Sequence, residues 1–436
     1  MVVRKLFLTL CILLLLSKFA YAQDTLDISG LSLEECLTIA LLNHPSLTKA
    51  KASTKDIAAQ LEALRANDRI TVSLTGSVNY DGDYEDWDSR YHSESLRISA
   101  TKLLYDTGRN RLQKAIRTES LKGSRETERS TMVSVAANAK RAYYDLVLKF
   151  LNRDVEREKV NNLEEHLKNA EGLYEVGNVP FIEVTKAQSD AASARVSLMK
   201  AENDILLSQE ALRVAMGADI NGPFDIILST ELLLPKPADD VNALIASALE
   251  DRPDYRKLLH DVKGSELAVK NAARANSPTI NGTLSSTFSN REGSSSTEDY
   301  AVGVSINVPV SDGGATKAGV ESAKAQLESV NAEVESMRQQ LTYSVRSAAL
   351  SLTNALDRVR SSETAVKYSE ENLELARGRY EVGVGDPLEL SDAVSTLATS
   401  RYTYYQALYD AQTARADLDE ALGHLPPELD GRIEDW

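Results

Sequence analysis

Two rhythms of apolar positions run along the chain. The first is helical: Leu327, Val330, Val334, Met337, Leu341, Val345, Ala348, Leu352, Ala355 and Val359 follow one another at spacings of three or four. A period of about 3.5 marks helices that pack along a seam rather than onto a globular core. Leu390, Ala393, Leu397, Tyr404, Leu408, Ala411, Leu418 and Leu422 keep a similar beat. The second rhythm alternates apolar or small residues with polar ones. It runs from Ile70 to Tyr80 and from Ile280 to Phe288, with return segments from Leu96 to Ala100 and from Tyr300 to Val308. These four segments read as strands, greasy on one face and hydroxyl-rich on the other. The return segment over 96–100 reads as the weakest, with Arg97 in it and Lys102 nearby.

The helical rhythm predicts helices over 33–43, 46–67, 109–173 and 180–216, and again over 241–251, 254–275, 315–379 and 387–422. Pro45 and Pro253 stop the short leading helices, since proline disfavours helical geometry in the residue before it. A 65-residue helix is roughly 95 Å long at 1.5 Å per residue. The two shorter helices of each half nearly match that length if they stack end to end.

The elements come in the same order twice because the chain repeats itself. Tyr174-Glu175-Val176-Gly177 recurs as Tyr380-Glu381-Val382-Gly383, and the same spacing carries Tyr105-Asp106-Thr107-Gly108 onto Ser311-Asp312-Gly313-Gly314. Leu212 and Gly217 answer Leu418 and Gly423. The expected organisation is a first repeat over 23–217, a linker over 218–240, a second repeat over 241–423 and a tail over 424–436. Residues 1–22 read as a cleaved export signal: Arg4 and Lys5, an apolar run from Leu6 to Leu16, then Ala20-Tyr21-Ala22.

Charge and cysteine usage narrow the class. The formal net charge is −16, which argues against nucleic acid as a partner. Of the two cysteines, Cys11 lies in the signal, so Cys36 has no partner for an intramolecular disulfide. Beyond the signal no stretch approaches the ~20 apolar residues of a membrane helix, so any crossing must use strands. Three of the four strand segments have the ~9–11 residues that a tilted crossing needs. Tyr80, Tyr84, Trp87 and Tyr91 flank one hairpin loop and Phe288 and Tyr300 the other, as in an interfacial girdle.

Four strands cannot close alone. Open sheet edges in hydrocarbon leave unpaired backbone groups at several kcal/mol each, so copies must join. Two alternatives remain at this point: soluble hairpins packed on a coiled coil, and an exported trimeric coiled-coil structural or adhesive protein without transport. The acidic loop residues Asp81, Asp83, Glu85, Asp86 and Asp88 lack the spacing of a calcium hand. The metalloprotease, nucleophile-elbow and phosphate-loop motifs are missing too, so neither an enzyme nor a cofactor or metal site is expected.

The duplicated halves, two strands per half, the Leu103-Leu104-Tyr105-Asp106-Thr107-Gly108 and Pro309-Val310-Ser311-Asp312-Gly313-Gly314 strand exits and the Tyr-Glu-Val-Gly turns together resemble the TolC family of outer-membrane efflux and secretion channels. The resemblance covers nearly the whole mature chain. It implies a mainly α fold with a transmembrane β part: long coiled-coil-like helices in an α-barrel tunnel, and four strands per chain in a trimeric twelve-strand β-barrel. It implies the exit duct of a tripartite efflux pump or type I secretion system in a Gram-negative outer membrane. The implied partners are two further copies, a periplasmic adaptor, an inner-membrane transporter and outer-membrane lipid. By the same resemblance Val176, Gly177, Val382 and Gly383 lie at periplasmic tips that touch the adaptor. Glu389 and Asp392 form an acidic ring at the closed end, and Tyr380 with Glu183 belongs to a latch. Gly and Pro end helices in any case, and acids suit a helix N-terminus in any protein. One departure stands out: Gly385 occupies the position where the family's latch has a basic residue.

Overall fold

The computed structural model describes residues 30–81, 91–218, 224–227, 234–238, 240–382 and 384–429. The expected signal 1–22, the loop residues Asp83, Tyr84, Glu85, Asp86, Trp87 and Asp88, the side chains of Asp81 and Tyr91, and Gly383 lie outside this description.

The elements follow in two parallel series. The first is α1 (Leu33–Asn43), α2 (Pro45–Ala66), β1 (Thr71–Asp81), β2 (Tyr91–Tyr105), α3 (Arg109–Glu175) and α4 (Phe181–Met216). The second is α5 (Val241–Asp251), α6 (Pro253–Ala272), β3 (Thr279–Arg291), β4 (Thr297–Asn307), α7 (Ala315–Glu381) and α8 (Pro387–Leu422). A 3-10 turn, Pro427–Leu429, follows.

Local chemistry explains the boundaries. Ser32 and Glu35 cap α1 reciprocally: the Ser32 hydroxyl accepts from the Glu35 N–H at 3.3 Å, and the Glu35 carboxylate accepts from the Ser32 N–H at 2.9 Å. Pro45 and Pro253 then open α2 and α6 at the first helical position, where a missing N–H costs nothing. The strand exits are helix starts. The Asp106 carboxylate accepts from the Gly108 and Asn110 N–H groups at 2.9 and 2.6 Å. Asp312 does the same for Gly314 and Thr316 at 3.0 and 2.8 Å. Each aspartate thereby satisfies donors that a first helical turn leaves orphaned.

The expected seams are buried lines. Leu341, Val345, Leu352, Ala355 and Val359 of α7 meet Leu408, Ala411, Leu418 and Leu422 of α8, and the short α5 closes over them. In the first half Tyr143, Leu146, Val147 and Phe150 of α3 meet Ile205, Leu212 and Met216 of α4. The shorter helices do stack end to end. Gly217, at φ +62°, ends α4 against His44, where a Cβ would lie 2.6 Å from the His44 Cα. Gly423 ends α8 against Pro253 in the same manner. Only glycine allows so close an abutment.

At the junction, Leu31 bridges Ile226, and Leu429 is buried beside α1 and α3. Lys140, 3% exposed, holds Glu428 at 2.7 Å. Residues 424–429 of the expected tail are therefore packed.

The four strands form one antiparallel sheet in the order β1-β2-β3-β4, leaving β1 and β4 as open edges. The register sets Leu74 opposite Ile98, Ala100 opposite Leu284 and Leu284 opposite Val302, so one apolar face runs across all four strands. The other face carries Ser73, Ser99 and Ser285, with Arg97 between Thr75 and Thr287. The return segment expected over 96–100 is in fact the longest strand, at 15 residues. Arg97 does not interrupt it, because the side chain falls on the hydroxyl face while ladders on both sides satisfy the backbone.

Candidate functional site

Among the described residues nothing covers the apolar face of the sheet. Leu284 is 54% exposed and Val302 84%. Tyr80, Phe288 and Tyr300 are likewise exposed near the hairpin ends. Among the described residues no helix is long and apolar enough to cross a membrane. The sheet is thus the part of this chain that is built to meet hydrocarbon, with hydroxyls turned to the opposite side.

The other end of the long helices holds the expected tip residues. In the first turn, Gly177 at φ +78° donates its N–H to the Tyr174 carbonyl, and Asn178 donates to Leu173, both at 2.9 Å. This pair of bonds is a Schellman stop, after which Pro180 leads into α4. In the second turn Val384 and Gly385 both donate to the Arg379 carbonyl, at 3.0 and 2.9 Å. Asp386 then caps α8 through the Leu388 N–H at 2.8 Å. Val176, Phe181, Ile182, Val382 and Val384 are exposed at these ends. Of the four tip residues expected from the sequence, Gly383 alone is outside the described residues.

The departure at Gly385 has a steric cause. A Cβ there would stand 2.7 Å from the Tyr380 nitrogen and 2.9 Å from the Arg379 carbonyl carbon. Those contacts are backbone, which cannot swing aside, so this turn has no room for a basic side chain at 385. The nearby cation is Arg379, whose guanidinium lies 3.7 Å from Glu389. Glu389 and Asp392 are both exposed on α8, and Glu389 already faces a positive charge within its own chain.

Tyr380 and Glu183 occupy neighbouring positions on α7 and α4. No hydrogen bond joins them among the described residues. Burial, and secondly the Glu183 charge, raises the Tyr380 pKa. The Tyr380 ring meets His166 of α3 edge-on, with centroids 5.2 Å apart. His166 and Arg379 were not singled out from the sequence, and neither were three polar rungs that tie the two helix pairs together. Arg401 of α8 pairs with Glu158 of α3 and with Glu370 of α7. Arg377 of α7 donates to Asn162 of α3 at 2.8 Å. Ser391 of α8 donates to Asp190 of α4 at 3.1 Å. Beneath the rungs lies an apolar cluster drawn from all four helices, including Leu163, Ala191, Leu373 and Leu390.

A sheet that must close with other sheets in lipid, carried on long paired helices whose far ends are stapled together by polar rungs, defines a subunit of a membrane-spanning duct. The comparisons with known proteins agree. The family described as outer membrane efflux protein matches residues 36–218 and 244–424. The chain belongs to this family and is an outer-membrane efflux protein. It is 24% identical over 409 residues to the probable efflux pump outer membrane protein TtgC of Pseudomonas putida, spanning 90% of this chain and 83% of that one. To the cation efflux system protein CusC of Escherichia coli it is 21% identical over 392 residues, with 88% and 84% covered. The crystal structure of the Campylobacter jejuni CmeC outer membrane channel superposes with a TM-score of 0.78 at 16% identity, covering 90% of this chain and 85% of that one. The open-state MtrE outer membrane channel of Neisseria gonorrhoeae gives 0.77 at 21% identity, with 90% and 89% covered. The fold is therefore that of the outer-membrane channels, mainly helical with a four-strand β part.

Proposed function

We propose that three copies of this chain close into the exit duct of a tripartite efflux pump. The observation that carries the reading is the sheet, with two open edges and an uncovered apolar face. Pairing β1 of one copy with β4 of the next removes every edge and yields twelve strands, an even number suited to a membrane barrel. The same rotation sets the long helix pairs of three copies around a common axis as a tunnel.

The exposed Val176 and Val382, with the turn glycines Gly177 and Gly383 that follow them in sequence, are the contact for a periplasmic adaptor, and through it for an inner-membrane transporter. Glu389 and Asp392 from three copies gather six carboxylates at the narrow end. Arg379 offsets part of that charge. The duct is passive and carries out no catalysis; the transporter selects the cargo.

The test is current across a planar bilayer. The purified protein conducts, and divalent cations on the helix-tip side block the current. Replacing Glu389 and Asp392 together by Ala relieves the block. Persistent silence in both proteins overturns the duct, and an unchanged block removes the two acids from the constriction.

A further inference from the structure

The helix seams are built mostly from apolar and small residues, with a buried histidine set among them near the tips. His166 of α3 is 7% exposed, and its Nδ1 has no hydrogen-bond partner among the described residues. Its ring packs edge-on against Tyr380 of α7, a contact that joins the first helix pair to the second beside the polar rungs. We propose that His166 is a proton-operated release for the helix tips: protonation of its ring loosens α3 from α7 and favours parting of the two helix pairs. This inference rests on the duct reading for its functional meaning, but the loosening itself does not.

Burial sets the sign, and the charges around the ring partly oppose it. On α4, Asp190 and Glu183 favour the imidazolium, while Lys186 opposes it. The Asp190 carboxylate is already engaged by the Ser391 hydroxyl of α8. On α7, Arg377 lies one turn from Tyr380 and holds Asn162, one turn before His166 on α3. At the start of α8, Glu389 faces Arg379, and Asp392 is exposed. Burial outweighs the two carboxylates and lowers the His166 pKa below its ordinary 6.5. When the helix pairs part, water reaches the ring and the ordinary value returns. The parted state therefore binds protons more tightly, so the interlock is intact above the ordinary value and weakens as the pH falls through it. The limit is about tenfold in the opening equilibrium per pH unit per chain.

Two readouts on the full chain test this. The first is amide hydrogen exchange, corrected for intrinsic rates, over 158–170 and 373–382 at about pH 7.5 and about pH 5.5, a window centred on ordinary histidine titration. The native chain loses protection at the lower pH. His166→Gln, neutral and polar, keeps its protection unchanged, and His166→Phe does the same if glutamine disturbs the packing. An equal loss in the native chain and both variants, or no loss in the native chain, overturns the proposal. The second readout is bilayer current while the helix-tip side is acidified. Current rises in the native chain and stays flat in His166→Gln. If exchange responds to pH but no protein conducts at any pH, the duct reading fails while the release stands. If all proteins conduct and none responds to pH, the gating role of His166 is refuted.

Discussion

An arginine placed on each face of β3 tests which side of the sheet meets lipid. Leu284 lies near the middle of the 13-residue strand β3, with Ala100 of β2 and Val302 of β4 as register partners. It is an inner strand, so a change there leaves both open edges intact. Ser285, the next residue, points to the opposite face between Ser99 and Ala301. An arginine on the lipid face of a membrane barrel costs about 2–4 kcal/mol at the midplane. In the proposed three-copy barrel, Leu284→Arg removes about 6–12 kcal/mol. Per chain this is roughly a thirty- to several-hundred-fold loss in the folding equilibrium. Ser285→Arg joins a face that already accommodates Arg97 between Thr75 and Thr287, and changes stability little. Guanidinium unfolding in lipid vesicles, read by the shift in midpoint, measures both variants. Equal tolerance of the two arginines would refute the assignment of faces, and with it the need for copies to close a barrel.

Three further outcomes follow from particular residues. Thr107 is held at φ +57°, where its second-half counterpart Gly313 sits without strain at φ +62°. Thr107→Gly accordingly stabilises the fold by about 0.5–1 kcal/mol after loss of its hydroxyl contact, and Gly313→Thr destabilises it by about 1–2 kcal/mol, both read by denaturant midpoint. Cys36 is fully buried, and burial together with Glu35 pushes its thiol up to about 12. It should resist maleimide at neutral pH until the chain unfolds; rapid labelling of the native protein would contradict this packing. Arg401→Ala deletes a cation shared by the half-exposed Glu158 and Glu370, at a cost of about 0.5–1 kcal/mol that falls on the interlock. Faster amide exchange at the start of α8, with the strands unaffected, is the expected signature.

The parts of this molecule written plainly in its sequence are those fixed by neighbours along the chain. Pro45, Pro253, Gly177 and Gly217 end or begin helices by their own backbone preferences, and the observed elements stop within a few residues of those marks. The seam of α7 was visible because a 3.5-residue period needs no knowledge of the partner helix. The strand β2 was underestimated because a charge such as Arg97 reads as an interruption until the register reveals which face it occupies. The lateral links at the tips were illegible for a related reason. Whether Arg401 reaches Glu158, or His166 meets Tyr380, depends on how four helices are rotated against one another, and no local pattern states that. Gly385 shows the two kinds of information meeting. The sequence marked it as a missing base, whereas the structure shows a turn packed so tightly on Arg379 and Tyr380 that no side chain fits. The cations of this region stand on the helices: Arg379 of α7 faces Glu389 within the second pair, and Arg401 of α8 reaches Glu158 of α3 in the first. Of these two cations Arg401 is the one that crosses between the helix pairs, so a mutational search for a latch in this chain should begin with Arg401 and Glu158.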